Sequence, residues 1–219
     1  MDCNGTLTRN VNVTNLIGNV TVNIDTTGPA NVDLTGQDVT LNILNSATQV
    51  TNNSGTSAIL IVSTGNVNVT NEVQLSGVAV FGRINDINDI NGSNGRNDLN
   101  FTSTVAIPST QFAALNFLTP NSDTNINVTD VSGDINAIVI RNGIRNGNSA
   151  GDISITSTGT ISSFGPSRLT RPSDAIDINH RGGAGDITLN VHDVISENAR
   201  AIHIAVSYTH LTLPTILRV

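Results

Sequence analysis

The sequence predicts an all-β fold, a parallel β-helix (β-solenoid) in which short strands stack in coils of roughly 20–35 residues. Three observations predict it: a near-aromatic-free aliphatic composition, a strict two-residue alternation, and two short motifs that recur in the same order. Hydrophobic residues make up 37% of the 219 positions but aromatics only 3%, with no Trp, one Tyr and five Phe. Burial must therefore come from Ile, Val and Leu, whose branched members suit strands, while Gly, Asn, Thr, Ser and Asp supply turns.

The first motif, Ala-Ile-x-Ile, occurs at Ala58–Ile61, Ala137–Ile140, Ala175–Ile178 and Ala201–Ile204, with Leu60, Val139, Asp177 and His203 at the variable place. Side chains alternate across a strand, so the Ile pair shares one face and the variable residue takes the other. Asp177 and His203 require that second face to be wet. A two-residue apolar face cannot hold a fold alone, but stacking on an identical neighbour about 4.8 Å away gives each Ile another above and below. The column therefore includes Ile59, Ile138, Ile176 and Ile202.

The second motif, Gly-(Asn/Asp)-(Val/Ile)-x-(Val/Ile/Leu), occurs at Gly18–Val22, Gly65–Val69, Gly151–Ile155 and Gly185–Leu189. Three of these follow an Ala-Ile-x-Ile unit across a short polar link. Earlier units keep the alternation (Val11/Val13, Val20/Val22/Ile24, Val32/Leu34, Val39/Leu41/Ile43), and Asn stacking on Asn between coils would add amide hydrogen bonds. A Greek-key sandwich needs no such motif recurring in register.

Residues 1–205 read as one solenoid segment with an irregular region at 82–120. Within it, Gly82–Asn100 reads as a long loop or an Asn-laddered turn. Pro108–Leu118 has helical spacing through Phe112, Leu115 and Leu118 and predicts one short helix outside the stack. Ser163 to Ser173, with Pro166 and Pro172, predicts a protruding loop.

Charged residues are only 12%, all ten basic residues are Arg, and the net charge is −7. Without a basic stripe, nucleic acid is not expected as a partner. The single cysteine, Cys3, excludes an internal disulfide and a thiolate metal cluster. No apolar run approaches the ~20 residues that span a bilayer, so this segment is not expected to insert in a membrane. Met1–Gly5 has neither a basic nor an apolar leader region, and the reading is of a chain that begins downstream of its true start.

The run Gly151–Ile161, paralleled by Gly185–Ile195 with Asp174–Asn179 between them, resembles autotransporter passenger domains and filamentous-haemagglutinin-type adhesins. The resemblance is close over Val131 to Ala205 and weaker toward the N-terminus. It implies a right-handed parallel β-helix, secreted by a type V route and displayed at the bacterial cell surface as adhesin or stalk. It further implies a covalently linked outer-membrane barrel, an unknown ligand on a host or bacterial surface, and no enzymatic activity. Binding is expected at the loops 82–100 and 163–173. Residues 206–219 match no other unit and resemble a translated sequencing adapter, so they are set apart as a non-native tail.

The alternative is a fragment of a carbohydrate-active β-helix enzyme of the pectate lyase or polygalacturonase kind, which clusters carboxylates on an outer face. The best local group is Asp174, Asp177, His180 and Arg181, with Asp177 outward, His180 and Arg181 in the following turn, and Asp152, Asp186 and His203 as partners from adjacent coils. It forms no paired-carboxylate signature. The calcium nonapeptide of β-rolls is approached at Gly92–Asn100, where Ser93 and Asn97 depart from it, and at Gly182–Asn190, where Asp186 falls one place early. His180, His192, His203 and His210 lack metal spacing, and without Lys no Walker-type phosphate loop exists. No catalytic, cofactor-binding or metal-binding residue is expected, and no cofactor.

Overall fold

Aliphatic residues two apart, with Asn, Thr or Ser between them, give each segment one dry and one wet face. The computed structural model describes residues 2–5, 11–15, 17–26, 32–44, 50–51, 57–73, 75–76, 78–84, 98–108, 113–120, 122–143, 151–165, 173–181 and 185–207. Among these the chain is all-β, with no helix.

An eight-stranded sheet runs Val11–Asn15, Val32–Gly36, Ser57–Ser63, Val78–Ile84, Leu115–Thr119, Ile138–Asn142, Ile176–Arg181, Ile202–Ser207. A ten-stranded sheet contains Asp2–Gly5, Val20–Thr26, Val39–Ile43, Val67–Asn71, Asp98–Ser103, Asp123–Val128, Ile153–Ser163 and Ile187–Ser196. Its short strands Ile107–Pro108 and Val131–Gly133 lie on the path beyond Ile153–Ser163. Val50–Thr51 pairs separately with Leu75–Ser76. The pairings are parallel, and the chain passes back and forth between the two large sheets, each return landing beside the previous strand. The arrangement is consistent with a parallel β-solenoid. Steps between paired positions run from 19 residues (Asn23 to Asn42) to 38 (Asn136 to Asp174), slightly wider than the expected range at both ends.

The core is a set of columns. In the eight-stranded sheet Leu115, Ile138, Ile176 and Ile202 stack in register, with Phe117, Ile140, Ile178 and Ile204 beside them. Opposite, Val22, Leu41, Val69, Phe101, Ile126, Ile155 and Leu189 form another. Ile107, Val131, Ile161 and Val194 make a third. Phe101 meets Phe117 across the interior at 5.8 Å, tilted by 50°. Fully burying one such side chain stabilises by about 1.5–3 kcal/mol, so the columns supply the main favourable term. Ile59, Ile138 and Ile176 are fully buried as the column argument requires. Ile202 keeps its register but is 38% exposed, because nothing among the described residues stacks beyond it.

Two expectations are corrected. The helix over 108–118 is absent from the described residues there: Ile107–Pro108 and Leu115–Thr119 are strands. Leu115 and Phe117 are buried while Asn116 and Leu118 are less so, a period of two. Ala114-Leu115-Asn116-Phe117 is in fact another Ala-Ile-x-Ile-type unit, registered on Ala137–Ile140. Likewise the irregular region is regular at 98–108, where Asp98–Ser103 pairs with Val67–Asn71 and Asp123–Val128. Pairing at the other end continues to Ser207. The stretches 85–97, 166–172 and 208–219, which hold most of both expected loops and of the tail, lie outside the described residues.

The Gly-(Asn/Asp) motif has a mechanical reason. A Cβ on Gly65 would sit 2.7 Å from the Gln37 carbonyl oxygen, and one on Gly151 would sit 2.2 Å from that of Ser122, so only Gly permits this close approach of successive chain passes. The next residue then joins a ladder. Asn66 N–H donates to Asp38 Oδ1 at 2.8 Å, Asp98 N–H to Asn66 Oδ1 at 2.9 Å, Asp152 N–H to Asp123 Oδ1 at 2.8 Å and Asp186 N–H to Asp152 Oδ1 at 2.9 Å. Each side chain thus caps the backbone of the next level.

Stacking acids has a cost. Burial, and then the neighbouring Asp123 charge, push the Asp98 carboxyl above its ordinary value of 3.8. A raised folded value means the contribution to stability is whole while Asp98 is protonated and falls as pH rises through that value. Asp98→Asn keeps the Oδ1 acceptor and removes the charge. It should stabilise at pH 7 by something under about 1 kcal/mol, given solvent screening, and the gain should vanish below the ordinary Asp value. Urea midpoints across pH check this.

Candidate functional site

The outer faces carry polar ladders. Asn68, Asn100 and Asn125 stack in register, Asn100 Nδ2 donating to Asn68 Oδ1 and Asn125 Nδ2 to Asn100 Oδ1, each at 3.0 Å. Asn42 Nδ2 donates to Asn23 Oδ1 at 2.8 Å. Each amide offers both a donor and an acceptor along the stack axis, so identical neighbours satisfy one another.

Charge gathers at one place, where the strands Ile138–Asn142, Ile176–Arg181 and Ile202–Ser207 lie side by side. Asp177 points outward between Val139 and His203 of the neighbouring strands, as alternation demands. Asp174 sits just before Ala175, at the level where the previous pass has Asn136 and the next has Arg200. It is fully buried.

Its burial is tolerated because its charge is met. Arg200 donates Nε–H to Oδ1 at 3.1 Å and Nη2–H to Oδ2 at 2.9 Å, a bidentate grip, and its backbone N–H adds a third bond to Oδ1 at 3.1 Å. That side-chain bond raises the Arg200 guanidinium above its ordinary value. Arg141 Nη2 donates to Asp177 Oδ2 at 2.6 Å. His203 Nδ1 lies 3.0 Å from Asp177 Oδ1 and 3.7 Å from Asp174 Oδ2, joining the two acids. The network spans three successive strands.

Two carboxylates and an imidazole could in principle hold a metal, and one ligand atom from each of Asp174, Asp177 and His203 lies within 4.8 Å of the others. The donor set fits a divalent cation poorly, because Arg200 already holds both oxygens of Asp174 and Arg141 lies 2.6 Å from Asp177 Oδ2, so an ion would sit beside two guanidinium charges. General acid–base chemistry meets the same obstacle, since it needs a carboxyl free to exchange a proton with substrate. What the geometry does well is staple three levels of strand together.

The other expected residues are elsewhere. His180 and Arg181 are in the strand Ile176–Arg181, not in a turn after it. His180 faces the interior, and Arg181 Nε donates to its near neighbour Asn179 Oδ1 at 2.7 Å. Asp152 and Asp186 belong to the backbone-capping ladder of the other sheet. His192 sits exposed beside Asp193 at 2.9 Å. His210 and the first parts of the calcium-like stretches, 92–97 and 182–184, lie outside the described residues. Arg141 and Arg200 were missed. Aligning the Ala-Ile-x-Ile units would have found Arg200, since it precedes Ala201 as Asp174 precedes Ala175.

The network makes an asymmetric prediction. Asp174→Asn leaves a half-exposed Arg200 that water can solvate, and should cost about 1–2 kcal/mol. Arg200→Met leaves the buried Asp174 carboxylate without its main partner and should cost more. Denaturant unfolding of the two variants decides it; the reverse order would mean that Asp174 is solvated. No protein-family model matches the chain, and neither the curated proteins nor the solved structures return a match.

Proposed function

We propose that the chain is a non-enzymatic segment of a right-handed parallel β-helix, displayed outside a bacterial cell as adhesin or stalk. The observation that carries this reading is the use of the clustered acids. Asp174 and Asp177, the pair an enzyme would need, are occupied by Arg200 and Arg141, while the other polar side chains stack as Asn on Asn or cap the backbone of the next level. A rigid rod of self-satisfying polar ladders suits display better than turnover. Right-handedness rests on the strong preference of parallel crossovers for that hand and on the resemblance to autotransporter passengers. That resemblance also supplies the type V secretion route, the linked outer-membrane barrel and the surface location. Recognition of a host or bacterial ligand falls to the segments 82–100 and 163–173.

The carbohydrate-active reading has one observation in its favour, the gathering of Asp174, Asp177 and His203 within 4.8 Å. One experiment separates the two. The purified chain is incubated with polygalacturonate, with and without calcium, while beads coated with it are scored for attachment to epithelial and bacterial cells. The expected outcome is no new reducing or unsaturated ends, and attachment above albumin-coated beads. Polymer cleavage abolished by Asp177→Asn would establish the enzyme instead, and an absence of attachment would contradict the adhesive role.

A further inference from the structure

Where the strands of the eight-stranded sheet end, the inward column changes character. Thr119, Asn142 and His180 stack in register and are buried, in line with the aliphatic columns but polar. The hydrogen bonding around them can be counted. Thr119 Oγ1 and Thr124 Oγ1 share a bond at 2.9 Å. Asn142 Nδ2 spends both hydrogens, on the Ser122 carbonyl at 2.8 Å and on Thr119 Oγ1 at 3.3 Å. His180 Nε2 lies 3.2 Å from the Gly151 carbonyl oxygen. A carbonyl only accepts, so Nε2 carries the proton, and in the neutral ring Nδ1 is left as an acceptor.

These groups form a ring around one corner. Asn142 bonds to Ser122, His180 is the register neighbour of Asn142, His180 bonds to Gly151, and Gly151 packs so closely on Ser122 that an added Cβ would meet the Ser122 carbonyl at 2.2 Å. On three of these residues Ser122 Oγ, Asn142 Oδ1 and His180 Nδ1 are buried and have no hydrogen-bond partner among the described residues. Orphaned buried polar atoms are rare, and three around one corner need a common explanation.

We propose that this corner is a binding site for one internal water molecule. The three atoms present two bare acceptors and one hydroxyl. A single water satisfies them all by donating to Asn142 Oδ1 and His180 Nδ1 and accepting from Ser122 Oγ–H, three bonds being the usual complement of a buried water. A zinc ion lacks the additional His or Cys ligands it needs, and two side-chain oxygens are too few for calcium. The water holds His180 in its Nε2–H tautomer and ties together the chain passes that carry Ser122, Asn142 and His180.

The test uses the full chain, ¹⁵N-labelled. Long-range proton–nitrogen spectra at pH 7 should show a protonated Nε2 and a bare Nδ1 for His180, with a water cross-relaxation peak at the Asn142 side-chain amide. A crystal structure should place one water within about 3.2 Å of all three atoms. The proposal is overturned by an Nδ1–H tautomer or an imidazolium at His180. It is equally overturned by a cation in the corner, or by a side chain from Asn121 or residues 144–150 meeting these atoms directly.

Discussion

Register between neighbouring strands is the constraint on which everything else in this chain depends. No described strand buries more than three aliphatic side chains, far too little to offset the conformational entropy of ordering it. Ile176 acquires a hydrophobic environment because Ile138 lies on one side of it and Ile202 on the other. A slip of one residue would send every inward side chain outward. The Gly-(Asn/Asp) positions guard against that slip twice, through a backbone approach that only Gly permits and a side-chain oxygen that accepts the N–H of the next level.

Polar groups enter the structure on terms set by the same stacking. On the outer faces Asn68, Asn100 and Asn125 satisfy one another, so that ladder needs no charge. Where a carboxylate must be buried, as at Asp174, the next pass supplies a guanidinium in bidentate geometry. Buried Ser and Asn residues at the corners serve the turns: Ser63 Oγ accepts from Gly65 N–H, and Asn71 Nδ2 reaches both the Val73 carbonyl and Ser103 Oγ. Asp174 and Asp177 are therefore best understood as parts of a cross-strand clamp. The proposed role as a displayed rod follows from that use of its polar residues.

Much of this was legible in the amino acids, and the exceptions have physical causes. Alternation in Ala175–Ile178 and Ala201–Ile204 marks strands because apolar residues two apart, with Asp177 or His203 between them, share one face of a strand. The segment Pro108–Leu118 misled because Phe112, Leu115 and Leu118, three apart, also satisfy a helical period. Only the match of Ala114-Leu115-Asn116-Phe117 to the repeat distinguishes the two. His180 shares the parity of Ile176 and Ile178, which places it inside, but its polarity argued for a turn. Arg141 and Arg200 lie 36 and 26 residues from their acids, and no local pattern reveals such partners until the register is known.

The most direct test of that register is methyl–methyl NOE spectroscopy on a chain with labelled Ile δ1 groups. Adjacent levels are about 4.8 Å apart and second neighbours about 10 Å. Cross-peaks should therefore link Ile138 to Ile176, Ile176 to Ile202, Ile140 to Ile178 and Ile178 to Ile204, with none joining Ile138 to Ile202. A direct Ile138–Ile202 contact, or the absence of the nearest-neighbour peaks, would contradict the stacked columns and the account built on them.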